Sequence, residues 1–288
     1  MKNKVIKILK IMLILMLTGI VLALAAFFIN DQVNKKVFVT KYTYENSEIP
    51  AAFDGYKILL ISDLHEAPFA DQIINHINDL SPDMIVITGD MPLLPNYSIT
   101  TISKVAAAVK DIPIYAVSGN HETQGAHYNE IVDAMNQSGI TVIDNDSVCI
   151  EKGEDSFLLL GIKDPEHNIV SPEQLEEIKN QIESEFPDGP CFSILLCHRS
   201  NLYEDIKDTS ADLILSGHMH GGIMRIPFLG GVRGKNDEKW FPSYEYGMYI
   251  DDENADLIAS GGCDKNPNKR RYFNPPEVVL ITLESGDD

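Results

Sequence analysis

"YKILLISDLH" (residues 56–65) decides how this chain is read. It opens as a short apolar run, of the kind that forms a strand buried on both faces. It closes on Asp63-Leu64-His65, where two side chains with ligand or acid–base chemistry stand one residue apart. The same form recurs along the chain. Residues 84–89, 112–119, 156–162, 192–198 and 211–217 are further runs of Ile, Val and Leu. Helical patterns lie between them, over 70–80, 99–110, 127–139 and 171–186. The last opens with Ser171 as N-cap, Pro172 at the first helical position, and Glu173 and Glu176 in the first turns. Gly139 ends the third. This alternation predicts an α/β fold with largely parallel strands. The C-terminal third holds "GMYIDD", "ADLIASGG" and "EVVLITLE", strands without helices between them, expected to finish a second sheet.

Composition narrows the function classes. Of 288 residues, 44% are hydrophobic and 23% charged, which is globular rather than disordered. Residues 55–288 read as one domain. The formal charge is −20. The first 30 residues carry four lysines and no acid, so the body is more acidic still. Such a surface repels phosphate backbones and disfavours nucleic acid as a partner. Residues 11–29 are free of charge and long enough, as a helix, to cross a hydrocarbon core of about 30 Å. Lys2, Lys4, Lys7 and Lys10 precede them, which argues that the tip stays in the cytoplasm and the body lies outside the membrane. Residues 1–30 are therefore expected to be a single-pass anchor, and 31–54 a tether with an opening strand. The alternative is secretion after cleavage near Ala23-Leu24-Ala25. The four cysteines, Cys149, Cys191, Cys197 and Cys263, fit no zinc spacing. They are read as small hydrophobes, with Cys197 in the core.

In open α/β sheets, sites form beyond the carboxyl ends of the strands. Five strands end there in Asp, His or Asn. They lead to Asp63 and His65, to Asp90, to Asn120-His121-Glu122, to His198, and to "GHMH" with His218 and His220. Each alone has a structural account. Asp63 could cap a turn, Asn120 could adopt a left-handed conformation, and His198 could be a satisfied core histidine. The His218/His220 pair could be surface residues, a chelate or acid–base groups. Taken together they are carboxylate, amide and imidazole donors for divalent ions. Seven such groups exceed one tetrahedral site and suit two ions sharing a carboxylate. Two ions about 3.5–4 Å apart can grip a phosphate and activate water. Gly89, Gly119 and Gly217 permit close backbone approach.

The ordered set "DLH … GD … GNHE … H … GHMH" resembles the signature of the calcineurin-like metallophosphoesterases. The N-terminal anchor and the tail "RRYFNPPEVVLITLE" look like the bacterial membrane-associated branch, which is similar to the UDP-2,3-diacylglucosamine pyrophosphatases. The resemblance implies a four-layer α/β/β/α sandwich, the metallo-dependent phosphatase fold. It implies that Asp63, His65 and His220 bind one metal, that Asn120, His198 and His218 bind a second, and that Asp90 bridges them. His121 would act as general acid and Glu122 would hydrogen-bond it in place. A hydroxide bridging the metals would attack a phosphoester or pyrophosphate bond. The cofactors would be two divalent ions, drawn from Mn, Fe, Zn, Co or Ni. A phosphorylated small molecule or a lipid-linked phosphate would be the substrate. The alternative is an inactive metal-binding scaffold of the same fold.

Three positions depart from that branch. Glu66-Ala67 follows Asp63-Leu64-His65 where Leu-Gly is usual, Ile223 stands where Gln is usual, and Arg199-Ser200 follow His198 where Pro is frequent. Candidate substrate contacts are His127, Asp164, His167 and Arg225. His76 is read as a solvated helix residue and Met219 as core. Two basic groups stand out in so acidic a chain: Arg225, Arg233 and Lys235, then Lys265, Lys269, Arg270 and Arg271. Either could be solvated surface, a phosphate contact or a contact to anionic headgroups.

Overall fold

A computed structural model describes residues 2–165, 170–186, 191–226, 228–233, 240–265 and 271–286. The chain begins with α1 (Lys2–Val33), β1 (Phe38–Asn46), β2 (Lys57–Ile61), α2 (Ala70–Leu80), β3 (Met84–Thr88), α3 (Thr100–Ala108) and β4 (Ile114–Val117). It continues with α4 (Asn120–Thr123), α5 (Tyr128–Gln137), β5 (Thr141–Val142), β6 (Asp146–Lys152), β7 (Asp155–Ile162), α6 (Pro172–Ser184) and β8 (Ser193–Arg199). Last come α7 (Tyr203–Ile206), β9 (Leu213–Gly217), β10 (Arg225–Ile226), β11 (Gly230–Gly231), β12 (Gly247–Tyr249), β13 (Asp256–Ala259) and β14 (Glu277–Ser285).

Two six-stranded sheets face each other, ordered β1-β14-β2-β3-β4-β5 and β12-β13-β9-β8-β7-β6. Successive residues of a buried strand point to opposite faces, and this period builds the layers. In β2, Ile58 and Leu60 enter the core between the sheets, while Leu59 and Ile61 meet Ile73 and Ile77 of α2. On the other sheet Ile194 and Leu196 face inward, and Leu195 and Cys197 meet Ile178 and Ile182 of α6. The result is the α/β/β/α sandwich, with α2, α3 and α5 outside the first sheet and α6 and α7 outside the second. The caps follow local chemistry. Ser171 Oγ accepts from the Gln174 amide, and the Gln174 side chain accepts from the Ser171 amide, closing a capping box.

Three expectations are corrected. β14 belongs to the first sheet, parallel to β1 and antiparallel to β2. Both its faces are apolar, Val278 and Leu280 toward the helices and Val279, Ile281 and Leu283 toward the partner sheet. A central position satisfies both faces, and nothing local in the sequence names the neighbours. The strand β6 was not foreseen. It is an edge strand paired to β7, half exposed, and so carries no continuous apolar run. His76 is not simply solvated, since its Nε2 lies 2.9 Å from the Val37 carbonyl at the start of β1. Of the cysteines, Cys197 and Cys263 are buried, Cys191 is half-buried and Cys149 is exposed. The apolar window of helix α1 is not buried, and its Asn3–Val33 span is long and apolar enough to cross a membrane.

Candidate metal centre

β2, β3 and β4 run parallel, as do β7, β8, β9 and β13. Their carboxyl ends therefore deliver side chains to one edge of the sandwich. There the chain turns sharply. Asp63, His65, Asp90, His218 and His220 all adopt left-handed backbone conformations, with φ between 46° and 72°. Such turns are disfavoured for residues with a Cβ and collect at functional sites.

The turns produce two donor clusters that share one residue. Asp63, His65, Asp90 and His220 offer donors within 4.8 Å of one another, and Asp90, His198 and His218 do the same. Asp90 lies between them. Its Oδ2 is 3.5 Å from His65 Nε2 and its Oδ1 is 3.5 Å from His198 Nε2. Asp63 Oδ1 stands 3.4 Å from His220 Nε2, while its Oδ2 accepts from Ser62 Oγ and the His218 amide. Asn120, at the start of α4, brings its Oδ1 to 3.2 Å from His198 Nε2, and His218 Nδ1 lies 3.1 Å from the same nitrogen. The structure thus gathers all seven ligand-type residues of the strand ends.

Neighbouring groups fix the rings. His65 Nδ1 faces the Pro92 carbonyl at 3.2 Å, His198 Nδ1 faces the Thr88 carbonyl at 2.6 Å, and His220 Nδ1 faces Asp264 Oδ1 at 3.3 Å. Each outer nitrogen donates, which leaves Nε2 a lone pair aimed into the cluster, the usual arrangement around a metal-binding imidazole. Buried carboxylates among such lone pairs suit a divalent cation, so the donor set fits two ions. Two glycines make room. A Cβ on Gly119 would lie 2.5 Å from Asp90 Oδ1, and one on Gly217 would lie 1.8 Å from Ser62 Oγ.

His121 belongs to neither donor cluster, but its ring packs edge-on against His65 at 4.3 Å between centroids and its Nε2 lies 3.9 Å from Asp90 Oδ2. Its amide donates to Asp90 Oδ1 at 2.8 Å, and its Nδ1 meets the Pro92 carbonyl at 3.1 Å. Its side chain keeps 16% of its surface open, against 6% for His65 and 0% for His198. The expected Glu122–His121 hydrogen bond is replaced by a different arrangement. Glu122 accepts the backbone amides of Asp90, Met91 and Gly119, tying the β3 turn to the β4 turn. Burial, and then the charge of Asp90, push its carboxyl up to about 7. The Pro92 carbonyl orients His121 instead, and a backbone group leaves no residue signature.

Among the substrate candidates, Asp164 is corrected. It is 3% exposed and held bidentate by Arg199, at 2.7 Å from Nε and 2.8 Å from the second terminal nitrogen. Removing one partner of a buried ion pair costs about 3–5 kcal/mol, so this pair acts as a clasp between the ends of β7 and β8, beside His198. It also accounts for Arg199 where the family often has Pro. Glu66, another departure, accepts from the amide and hydroxyl of Thr101 in the first turn of α3. His127 pairs with Glu130 at 2.6 Å and packs on Tyr97. Arg225 lies over the Tyr246 ring and pairs with Glu245. His167, Lys235, Lys269 and Arg270 lie outside the described residues.

Sequence reasoning missed Asp264. It follows β13, one more strand end, in "SGGCD". Burial works against its charge, but Arg271 and His220 outweigh burial and hold the carboxyl well below the usual range. Arg271 Nε donates to it at 2.6 Å, so this member of the basic tail is structural. Asp264→Asn is expected to weaken metal affinity at the Asp63/His65/His220 cluster about 10–100-fold, the usual penalty for losing the carboxylate behind a metal-bound histidine. Competition against a chelating indicator reads this, with a thermal melt as control for fold. Unchanged affinity in a folded variant would remove Asp264 from the site.

A sandwich of this kind, with donors for two cations at its strand ends, is that of a metal-dependent hydrolase. The chain belongs to the calcineurin-like phosphoesterase family, whose profile matches residues 56–222. Among relatives, it is 29% identical over 265 residues to the metallophosphoesterase YkuE of Bacillus subtilis, covering 85% of each chain. It is 29% identical over 185 residues to the phosphodiesterase YaeI of Escherichia coli, covering 61% of this chain and 64% of that one. A transmembrane protein with a metallophosphoesterase domain from Danio rerio is 26% identical over 187 residues, covering 61% and 42%.

Proposed function

We propose that the protein is a membrane-anchored phosphohydrolase that cleaves a phosphoester or pyrophosphate bond at a dinuclear metal centre. The observation that carries this reading is Asp90, whose two oxygens face two separate donor clusters. Asp63, His65 and His220 would hold one ion, Asn120, His198 and His218 the other, and Asp90 both. When bound, such a pair supplies Lewis-acid polarisation of the phosphoryl group and an activated water. These ligands accept Mn, Fe, Zn, Co or Ni, so availability selects the metal. His121 would give the proton on Nε2 to the leaving oxygen, while the Pro92 carbonyl keeps Nδ1 protonated and the ring in place.

An open cleft of about 450 Å³ is lined by Asn201, Glu204, Met219, Trp240, Phe241 and Tyr244. Met219, between the two histidines of the "GHMH" turn, is one of its walls, and none of the seven donors lines it. The name of the Escherichia coli relative supports a diester. The exposed apolar α1 and the transmembrane relative support an anchor, with the lysine-rich tip inside and the centre outside.

The test is turnover by the full-length chain in detergent, loaded with each metal in turn, on nitrophenyl phosphate and bis-nitrophenyl phosphate. Release of nitrophenol that needs metal is expected. No turnover in a folded, fully loaded sample would favour the inactive scaffold.

A further inference from the structure

We infer that Met224, Ile226, Phe228, Leu229 and Phe273 form a second membrane-contact surface, seated in the same bilayer as α1. This rests on α1 being a membrane span. The charge-free run of α1 ends at residue 29, so Asn30 marks the level at which the helix leaves hydrocarbon. The body is bolted to the helix at that level. Asn30 Nδ2 and Asn34 Nδ2 each donate to the Arg271 carbonyl at 2.8 Å, and the Phe273 amide donates to Asn30 Oδ1 at 3.2 Å. Phe273 therefore sits at the depth where the helix emerges.

From there, backbone pairing leads directly to the hairpin. Tyr272 bridges Met224, and its carbonyl accepts the Arg225 amide at 2.9 Å. β10 pairs with β11, which puts Phe228 and Leu229 at the turn. Phe228 is fully exposed, Leu229 is 68% and Phe273 62% exposed, and Met224 and Ile226 show about two-fifths of their surface. One exposed apolar residue needs no explanation. Five on one paired segment, tied to the emerging end of an apolar helix, form a patch that water does not suit. The helix settles what covers it: the lipid interface lies at the height of Phe273, and aromatic side chains favour that zone.

The surface is continuous with the centre. Asn274, next to Phe273, donates through Nδ2 to the His220 carbonyl at 2.6 Å and to the Ile223 carbonyl at 3.2 Å. The turn carrying the "GHMH" histidines is thus held to the lipid-facing edge. A centre fixed there suits an amphiphile whose phosphorylated headgroup stands at the bilayer surface, which narrows the proposed substrate class.

The chain has a single tryptophan, Trp240, so Phe228→Trp in a Trp240→Phe background gives a sole reporter at the hairpin turn. The full-length protein is placed in phosphatidylcholine vesicles with brominated acyl chains, and in matched unbrominated ones. Emission in the brominated vesicles is expected to fall below that in the matched unbrominated ones, as for an aromatic side chain at the interface. Flotation with the vesicles and undiminished emission would overturn the surface and leave the anchor standing. Undiminished emission together with a cross-linked dimer would assign the patch to a second copy, again overturning it. Failure to float would overturn both the surface and the anchor.

Discussion

Asp90→Ala is expected to empty both metal positions and lower turnover by on the order of 10³-fold. Among the described residues, no other belongs to both donor clusters. Its carboxylate supplies the negative charge between two cations, and a metal pair contributes several kcal/mol of transition-state stabilisation at about 1.4 kcal/mol per tenfold in rate. The alanine variant also strips the acceptor from the His121 amide, which costs about 1–3 kcal/mol for a buried donor. Loss of fold could then imitate loss of metal. Asp90→Asn separates the two, because an amide oxygen still accepts that hydrogen bond but lacks the charge. Elemental analysis of folded Asp90→Asn should find less than one ion per chain. Full metal occupancy with wild-type turnover would remove Asp90 from the bridging role.

His121→Ala should behave in the opposite way. Metal content stays, because the ring lies outside both clusters, yet turnover falls by about 10²–10⁴, the range supplied by a positioned general acid. The loss should depend on the leaving group. An alkyl phosphate, whose alkoxide needs a proton, should suffer most, and nitrophenyl phosphate least. Equal loss on both would point to charge stabilisation by His121 rather than proton donation. Full activity on the alkyl ester would end its catalytic assignment.

Much of this was legible in the chain. The α/β alternation with largely parallel strands followed from the apolar runs between helical patterns, because a strand buried on both faces has to be apolar throughout; the four-layer sandwich was implied by the family resemblance. The seven donors were legible because each ends such a run, and parallel strands deliver their ends to one edge. The departures at Glu66 and Arg199 were visible as departures, but their meaning was not. One caps α3 and the other clasps Asp164, and both partners lie about 35 residues away.

By itself, then, the sequence determined the strand–helix alternation, the donors and the apolar N-terminal run, since each depends on local period or on residue chemistry. The tertiary structure alone decided that β14 joins the first sheet, that Glu122 staples two turns instead of holding His121, that Asp264 backs His220, and that α1 is tied to the edge carrying the metal-ligand turn. The physical reason is common to all four. Strand pairing and carbonyl acceptors use the backbone, which is the same in every residue, and long-range side-chain partners are fixed only once packing has brought them together.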